Sequence, residues 1–387
     1  MNYNVSIPGK LYKPHERVAF FDAIYHVISN DNELKSFVSD ELMDTRFIPF
    51  YQAIISSNPT FLDRLENLEF YYDGRFSGIL EELAKISHNI KSINIKFCND
   101  LNTKGLIQLI KSQNNLEHMS FDRFEGENLP EILKALITQA HSLRSFKLWK
   151  CEIDNNHNNC LEFLKEHRKL EELEFGYIGC YDVYDVKHAQ DFPHLKRLRF
   201  YDSDDGMINC SIIFSLITNI GKYLNELIFL VNLQRYPNNT MKVITDSCQN
   251  LVSLSIIIQS HEELDELIKY FDRFQKLEIL KICKRNVFER ESKGILEERV
   301  EDFFLKIPNN VHTLDITKWK IDMKSFKEGL WYIERPLKSF QFYIVDAVCI
   351  DDVIEIVAEF TYERNWDVKR IVYGQHYLVE IEWFVNF

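Results

Sequence analysis

Residues 90–117 read IKSINIKFCNDLNTKGLIQLIKSQNNLE, and two periodicities share that stretch. Its first part, Ile90-x-x-Ile93-x-Ile95, sets apolar side chains two apart, the spacing that turns them to one side of a short strand. Its second part sets Leu106, Leu109 and Ile110 on one helical stripe, with Thr103 as a candidate N-cap. The strand phrase then returns at Leu116. Followed outward, it occurs twelve times, starting at Leu65, Ile90, Leu116, Leu143, Leu170, Leu195, Leu224, Leu251, Leu277, Val311, Leu337 and Val368. A strand–helix unit of this size cannot bury its apolar face alone, so successive copies must stack around one continuous core.

The spacing therefore predicts an α/β leucine-rich-repeat solenoid of about 12 strand–helix repeats, with steps of 25 to 34 residues. Leu173 and Phe175, or Leu227 and Phe229, are the inward pair of their strands, with Leu170 and Leu224 packing below. Helical stripes follow at Ile79–Leu83–Ile86, at Ile132, Leu133, Leu136 and Ile137 after Pro130, at Leu264–Leu267–Ile268–Phe271 and at Val353–Ile356–Val357–Phe360. Helices are wider than strands, so the stack is expected to curve with the parallel sheet on its concave face. Residues 1–64 read as a mainly helical N-terminal cap, 65–375 as the solenoid and 376–387 as a C-terminal capping strand. The 34-residue step after Leu277 holds a charged insertion, KRNVFERESKGILEERVEDFF.

Composition narrows the class. Acids outnumber bases 59 to 46, a net charge of −13, with no long basic run, so a phosphate-binding surface is not expected. The first thirty residues lack a signal-peptide pattern, and no apolar run is long enough to span a bilayer. The expected setting is intracellular, cytoplasmic or nuclear, with no membrane partner. Eight scattered cysteines without a C-x-x-C pair read as free thiols in a reducing compartment.

Ile90-x-x-Ile93-x-Ile95-x-x-Cys98, followed by Thr103-Lys-Gly105-Leu106, resembles the cysteine-containing leucine-rich repeat. Cys151 and Asn232 fall in the same slot, and Cys248 precedes its strand where that family places a cysteine. This repeat type is similar to the substrate-recognition arm of fungal F-box proteins, the exchangeable receptors of cullin–RING ubiquitin ligases. The resemblance covers roughly residues 65–375 and implies a protein-binding arm. It does not extend to a recognisable F-box: residues 1–64 offer Ile7-Pro8 but no tryptophan, the first being Trp149. Two readings follow, a substrate receptor with a divergent adaptor-binding segment, and a stand-alone scaffold or inhibitor-type repeat protein with no ubiquitin connection.

No phosphate-binding loop, dinucleotide turn, zinc helix or nucleophile elbow occurs, so neither a catalytic centre, a metal nor a cofactor is expected. Asp351-Asp352 opens a helix, where acids complement the dipole. Binding is expected on outward strand residues. Lys147, Glu174 and Arg199 lie at one level, as do Glu172, Arg197 and Glu226, and these form either a self-satisfied ion ladder or a polar recognition patch. Beside them Trp149, Tyr177 and Tyr201 make an aromatic group, continued by an apolar strip through Ile228, Leu230, Ile257 and Ile258. Aromatics beside arginine are the composition of interface hot spots. The predicted protein-binding face is Lys147, Trp149, Glu174, Tyr177, Arg197, Arg199, Tyr201, Leu230 and Ile257.

Overall fold

The computed structural model describes residues 2–7, 33–39, 62–71, 77–98, 103–124, 128–151, 160–178, 192–202, 210–233, 239–283, 299–321, 323–333, 337–344, 350–364, 367–373 and 378–384. The chain divides into two compact units, residues 1–195 with 202–213, and residues 196–201 with 214–387. Both are built from the same strand–helix repeat, and the fold is an α/β leucine-rich-repeat solenoid.

In the first unit seven strands lie side by side in sequence order, all parallel: β1 (Asn2–Ile7), β2 (Glu33–Ser39), β3 (Asn67–Tyr71), β4 (Ser92–Cys98), β5 (His118–Phe124), β6 (Ser145–Trp149) and β7 (Glu172–Gly176). Helices α1 (Ser77–Ile86), α2 (Lys104–Ser112) and α3 (Leu129–Leu136) cover one face. A 3-10 segment, Cys160–Glu166, takes the helix's place in the next repeat. Of residues 1–64, read above as mainly helical, the described part includes the strands β1 and β2, and residues 8–32 and 40–61 lie outside the described residues.

The second unit holds β8 (Arg197–Tyr201), β9 (Glu226–Leu230), β10 (Ser253–Ile257), β11 (Ile279–Cys283), β12 (Thr313–Ile321) and β13 (Ser339–Ile344), again parallel and in order. Between β8 and β9 the chain forms α4 (Cys210–Ile220), of which residues 214–220 belong to this unit. The later connections carry α5 (Thr240–Ser247), α6 (His261–Lys269), α7 (Val300–Lys306), α8 (Met323–Tyr332) and α9 (Ile350–Arg364). The twelfth phrase forms β14 (Asp367–Tyr373), but β15 (Leu378–Phe384) inserts antiparallel between it and β13. Val379 and Ile381 of β15 stand opposite Phe342 and Phe340, so the hairpin prolongs the core columns by one strand. Of the charged insertion at 284–304, residues 284–298 lie outside the described residues, and its end runs into α7.

The inward positions behave as their period requires. Leu170, Leu173, Leu224, Leu227 and Phe229 are fully buried, as are Leu106, Leu109 and Ile110. Ile137 departs from its stripe, because α3 ends at Leu136 and tightens into a 3-10 turn that leaves the side chain exposed. Thr103 does not cap α2 with its hydroxyl. Ser77 of the preceding repeat does so instead, its Oγ accepting from the Gly105 N–H at 2.9 Å. Cys151 and Cys248 are buried free thiols, and burial pushes Cys248 up to about 12.

One backbone pattern recurs from β3 to β7 in the first unit and from β8 to β13 in the second. A single carbonyl, one residue after the phrase start, accepts two successive N–H groups from the next repeat. Glu66 O receives Lys91 and Ser92, Lys91 O receives Glu117 and His118, Glu117 O receives Arg144 and Ser145, and Arg144 O receives Glu171 and Glu172. In the second unit Lys196, Asn225, Val252, Glu278 and His312 play the accepting part.

Below this spine, the helix-to-strand corners of the first unit hold a buried polar ladder. Ser87 donates to Leu62 O, and Gln113 donates to Ser87 O at 2.8 Å while accepting from Ile90 N at 2.9 Å. Gln139 donates to Gln113 O at 2.9 Å and accepts from Leu116 N at 3.3 Å. His167, fully buried, ends the series with its ring nitrogens 2.8 Å from Phe163 O and 3.0 Å from Leu136 O. These side chains satisfy backbone groups that a helix end leaves unpaired. Two carbonyls would favour a doubly protonated ring, but desolvation is the larger influence and holds His167 below its ordinary value.

Two outcomes follow. A Cβ at Gly105 would collide with the Ser77 carbonyl, whereas Gly78 has nothing within 4 Å. Gly105→Ala should lower the denaturation midpoint sharply, while Gly78→Ala should hold or raise stability by up to about 1 kcal/mol. Because His167 is depressed in the folded state, its stabilising share is complete above about pH 6.5, the unfolded value, and is lost as pH falls below it. Urea midpoints at pH 7.5 and 5.5 should differ more for wild type than for His167→Gln.

Candidate functional site

On β6 and β7 the buried pairs Phe146/Leu148 and Leu173/Phe175 turn the alternate residues to the face away from the helices. Lys147 stands there between two carboxylates, with Nζ 3.1 Å from Glu174 Oε2 and 3.8 Å from Glu172 Oε1. Both glutamates are largely buried, at 9% and 8% exposure for Glu172 and Glu174. Lys147 and Glu174 thus form an ion pair across the two strands. An exposed version would be worth only ~0.5 kcal/mol, and burial raises the cost of losing either partner.

Next along the face is Trp149. Its indole lies over Gly176, where any Cβ would run into the ring, and meets the Tyr177 ring edge-on at 5.1 Å between centroids. Gly176 is thus a notch that seats the indole. Lys150 Nζ sits 5.6 Å from the Tyr177 centroid, and the Lys150 N–H donates to Gly176 O at 2.7 Å. Trp149 and Tyr177 are both half-buried, held on one side and open on the other.

The local backbone explains this arrangement. Arg123, Lys150 and Tyr177, equivalent in three successive repeats, adopt left-handed φ of 60°, 52° and 54°. For a non-glycine residue that conformation costs about 1–2 kcal/mol. Each is followed by a side chain driven inward, Phe124, Cys151 and Ile178, all at most 3% exposed. Burying an apolar side chain of that size contributes about 1.5–3 kcal/mol, enough to offset the strain. The left-handed step turns the buried residue in and its predecessor out, so Lys150 and Tyr177 are presented at the rim. The Cys151 Sγ lies 3.4 Å from Trp149 O, tying the tucked residue to the strand end.

In the second unit Arg199 pairs with Glu226, its Nε and Nη2 both 2.9 Å from Oε1. Arg197 is exposed, and Tyr201, Leu230 and Ile257 are half-buried on the same face. Ile258, read above as part of the exposed apolar strip, is fully buried, and so is Val231. Here the tucked residue comes one position earlier than in the first unit, without a left-handed residue before it. For the same reason Asn232 is not the buried counterpart of Cys151, since Val231 fills that place.

Lys150, the left-handed rim and the role of Gly176 in seating the indole escaped the sequence reading. An isolated glycine at a strand end signals close approach of another group, and Gly176 carried that signal. Elsewhere, a cleft of about 920 Å³ beside α6 and α7 contains Asp265 and Asp302, but Arg299 Nε lies 3.0 Å from the first and Lys306 Nζ 3.8 Å from the second. Among the described residues no group of three or more His, Cys, Asp or Glu side chains is placed to hold a metal. No described helix is long and apolar enough to cross a membrane.

No protein-family description matches the chain, and no curated protein does. Among solved structures it is similar to a chain of the Rad7 and Elc1 complex in yeast, with a TM-score of 0.43 and 14% identity, over 88% of this chain and 84% of that one. A likeness this distant carries no functional argument, and the class of protein, a leucine-rich-repeat solenoid, rests on the repeat geometry.

Gly176→Ala should unseat the indole without disturbing the repeats. Near-ultraviolet circular dichroism should change in the wild-type background and not in a Trp149→Phe background, while the far-ultraviolet spectrum stays constant. An equal change in both backgrounds would mean that Gly176 does not position Trp149.

Proposed function

We propose that this chain is a non-enzymatic protein-recognition module that binds its partner on the open face of the sheet. The observation that carries the reading is Trp149, seated over Gly176 and braced edge-on by Tyr177 beside Lys150. A large aromatic held rigid before binding loses little conformational freedom on contact, which is the property of an interface anchor. Lys147, Glu172 and Glu174 frame it, with the one cation held between two carboxylates. In the second unit Arg197, Arg199, Tyr201, Leu230 and Ile257 offer the same mixture of cation, aromatic and aliphatic surface. The partner is a protein, not a nucleic acid or a membrane, and the setting is cytoplasmic or nuclear.

The finer form of the proposal is a substrate-receptor arm like that of F-box leucine-rich-repeat proteins. It is supported by the cysteine-containing repeat at Ile90–Leu106 and the buried Cys151. In that form residues 1–64 carry the adaptor-binding segment, and without one the chain is a stand-alone scaffold or inhibitor-type protein.

The test uses the full chain, because β2 pairs with β3 and trimming the N-terminus would expose a sheet edge. Proteins captured from a fungal lysate by wild type are compared with those captured by Trp149→Ala and Tyr177→Ala. The proposal expects a discrete protein to be lost at least tenfold, the scale of removing an anchor side chain. Identical capture by all three would overturn it. Direct titration with a purified cullin-ligase adaptor separates the forms: saturable binding favours the receptor, and none favours the scaffold.

A further inference from the structure

α9 is the last helix among the described residues, and its two flanks are not alike. Toward α8, Phe360 meets the Trp331 ring at 6.0 Å, Arg364 donates to Trp331 O at 2.9 Å, and Glu359 accepts from Lys327 Nζ at 2.8 Å. Val353 and Val357 are fully buried. At 100° per residue, the flank turned away from α8 carries Ile354, Ala358 and Tyr362 in one row, four residues apart. All three are exposed, Ile354 at 44% and Tyr362 at 88%. Large apolar side chains are seldom exposed here: among the described residues the others are Ile137 and Leu305, each on a different element. The row spans about 12 Å, two turns of helix.

Charge says what could cover it. α9 holds Asp351, Asp352, Glu355, Glu359 and Glu363 against the single base Arg364, and Arg364 is committed to Trp331 O. The apolar row is bordered by Glu355 and met at its first turn by Asp351, while Asp352, Glu359 and Glu363 fall on the side toward α8. A second copy laid against it would oppose acid to acid, and an anionic lipid surface or a nucleic acid would be repelled for the same reason.

We infer that this flank of α9 docks a basic amphipathic helix from a partner protein. Its apolar residues, at three- and four-residue spacing, would pack on Ile354, Ala358 and Tyr362 while lysine or arginine on its borders pairs with Asp351 and Glu355. The surface is separate from the open sheet face and does not depend on the role proposed for Trp149.

The experiment titrates the full chain into a fluorescently labelled 18-residue helix bearing a leucine stripe bordered by lysines. A second peptide has every lysine replaced by glutamate. Saturable binding is expected for the lysine peptide only, weakening as salt rises. Ile354→Gln with Tyr362→Ala should reduce affinity about tenfold, and Asp351→Asn with Glu355→Lys should do the same. Both pairs change exposed positions, and circular dichroism should be unaltered. Absence of saturable binding, equal binding of the glutamate peptide, or unchanged affinity in both variants would each overturn the inference. So would a dimer in sedimentation that either variant dissolves, since that would make the occupant a second copy.

Discussion

The repeated carbonyl that accepts two N–H groups is the constraint on which the rest of the structure depends. In a parallel sheet each strand must begin at the same height as its neighbour, and nothing in an isolated repeat sets that height. Glu66 O, Lys91 O, Glu117 O and Arg144 O set it in the first unit, and Lys196 O through His312 O in the second. The contact is made by backbone alone, so the accepting residue is free to vary and does so, from Glu to Lys to Val. What cannot vary is the spacing from that residue to the inward pair. This is why the phrase φ-x-x-φ-x-φ is kept while its connections change length, from a helix to the 3-10 segment Cys160–Glu166.

The same reasoning separates what was legible in the sequence from what was not. Burial with a period of two is written in side-chain type, so strands at eleven of the twelve phrases follow the parallel order directly. β2 was missed because its phrase, Leu34-x-x-Phe37-x-Ser39, ends in serine, although Phe37 is in register with Leu68. The twelfth phrase is a strand, but its place depends on a competitor. β15, with Val379 and Ile381 fully buried, matches the Phe340/Phe342 columns better than β14, whose Val368 and Ile371 are only half-buried. β15 therefore takes the position beside β13 and leaves β14 outermost. There Lys369 and Arg370 pair with Glu382 and put charge on what would otherwise be an open edge.

The candidate site was legible as composition and not as conformation. Columns of outward residues follow from the strand period, so Lys147, Trp149 and Glu174 could be placed on one face, and Lys147 and Glu174 do meet. Whether a tucked residue falls seven or eight positions after the phrase start is decided by competition between left-handed strain and burial, both of order 1–3 kcal/mol. Side-chain type alone does not tell these apart. Phe124, Cys151 and Ile178 go one way, Val231 and Ile258 the other, and that choice decides whether Tyr177 or its equivalent faces solvent.

This competition also gives the first unit's rim its character. A residue forced into the left-handed region has its side chain directed by the backbone rather than by its own packing, so it can be polar or aromatic at no cost to the core. Arg123, Lys150 and Tyr177 occupy that position, and the third leans on Trp149, which stands opposite its glycine neighbour on the adjoining strand. Gly176 makes the pairing possible, since any side chain there would compete with the indole for the same space. An anchor of this kind needs three conditions together: a left-handed step, a missing Cβ and an aromatic on the adjoining strand. Within the described repeats of the first unit they coincide at Trp149.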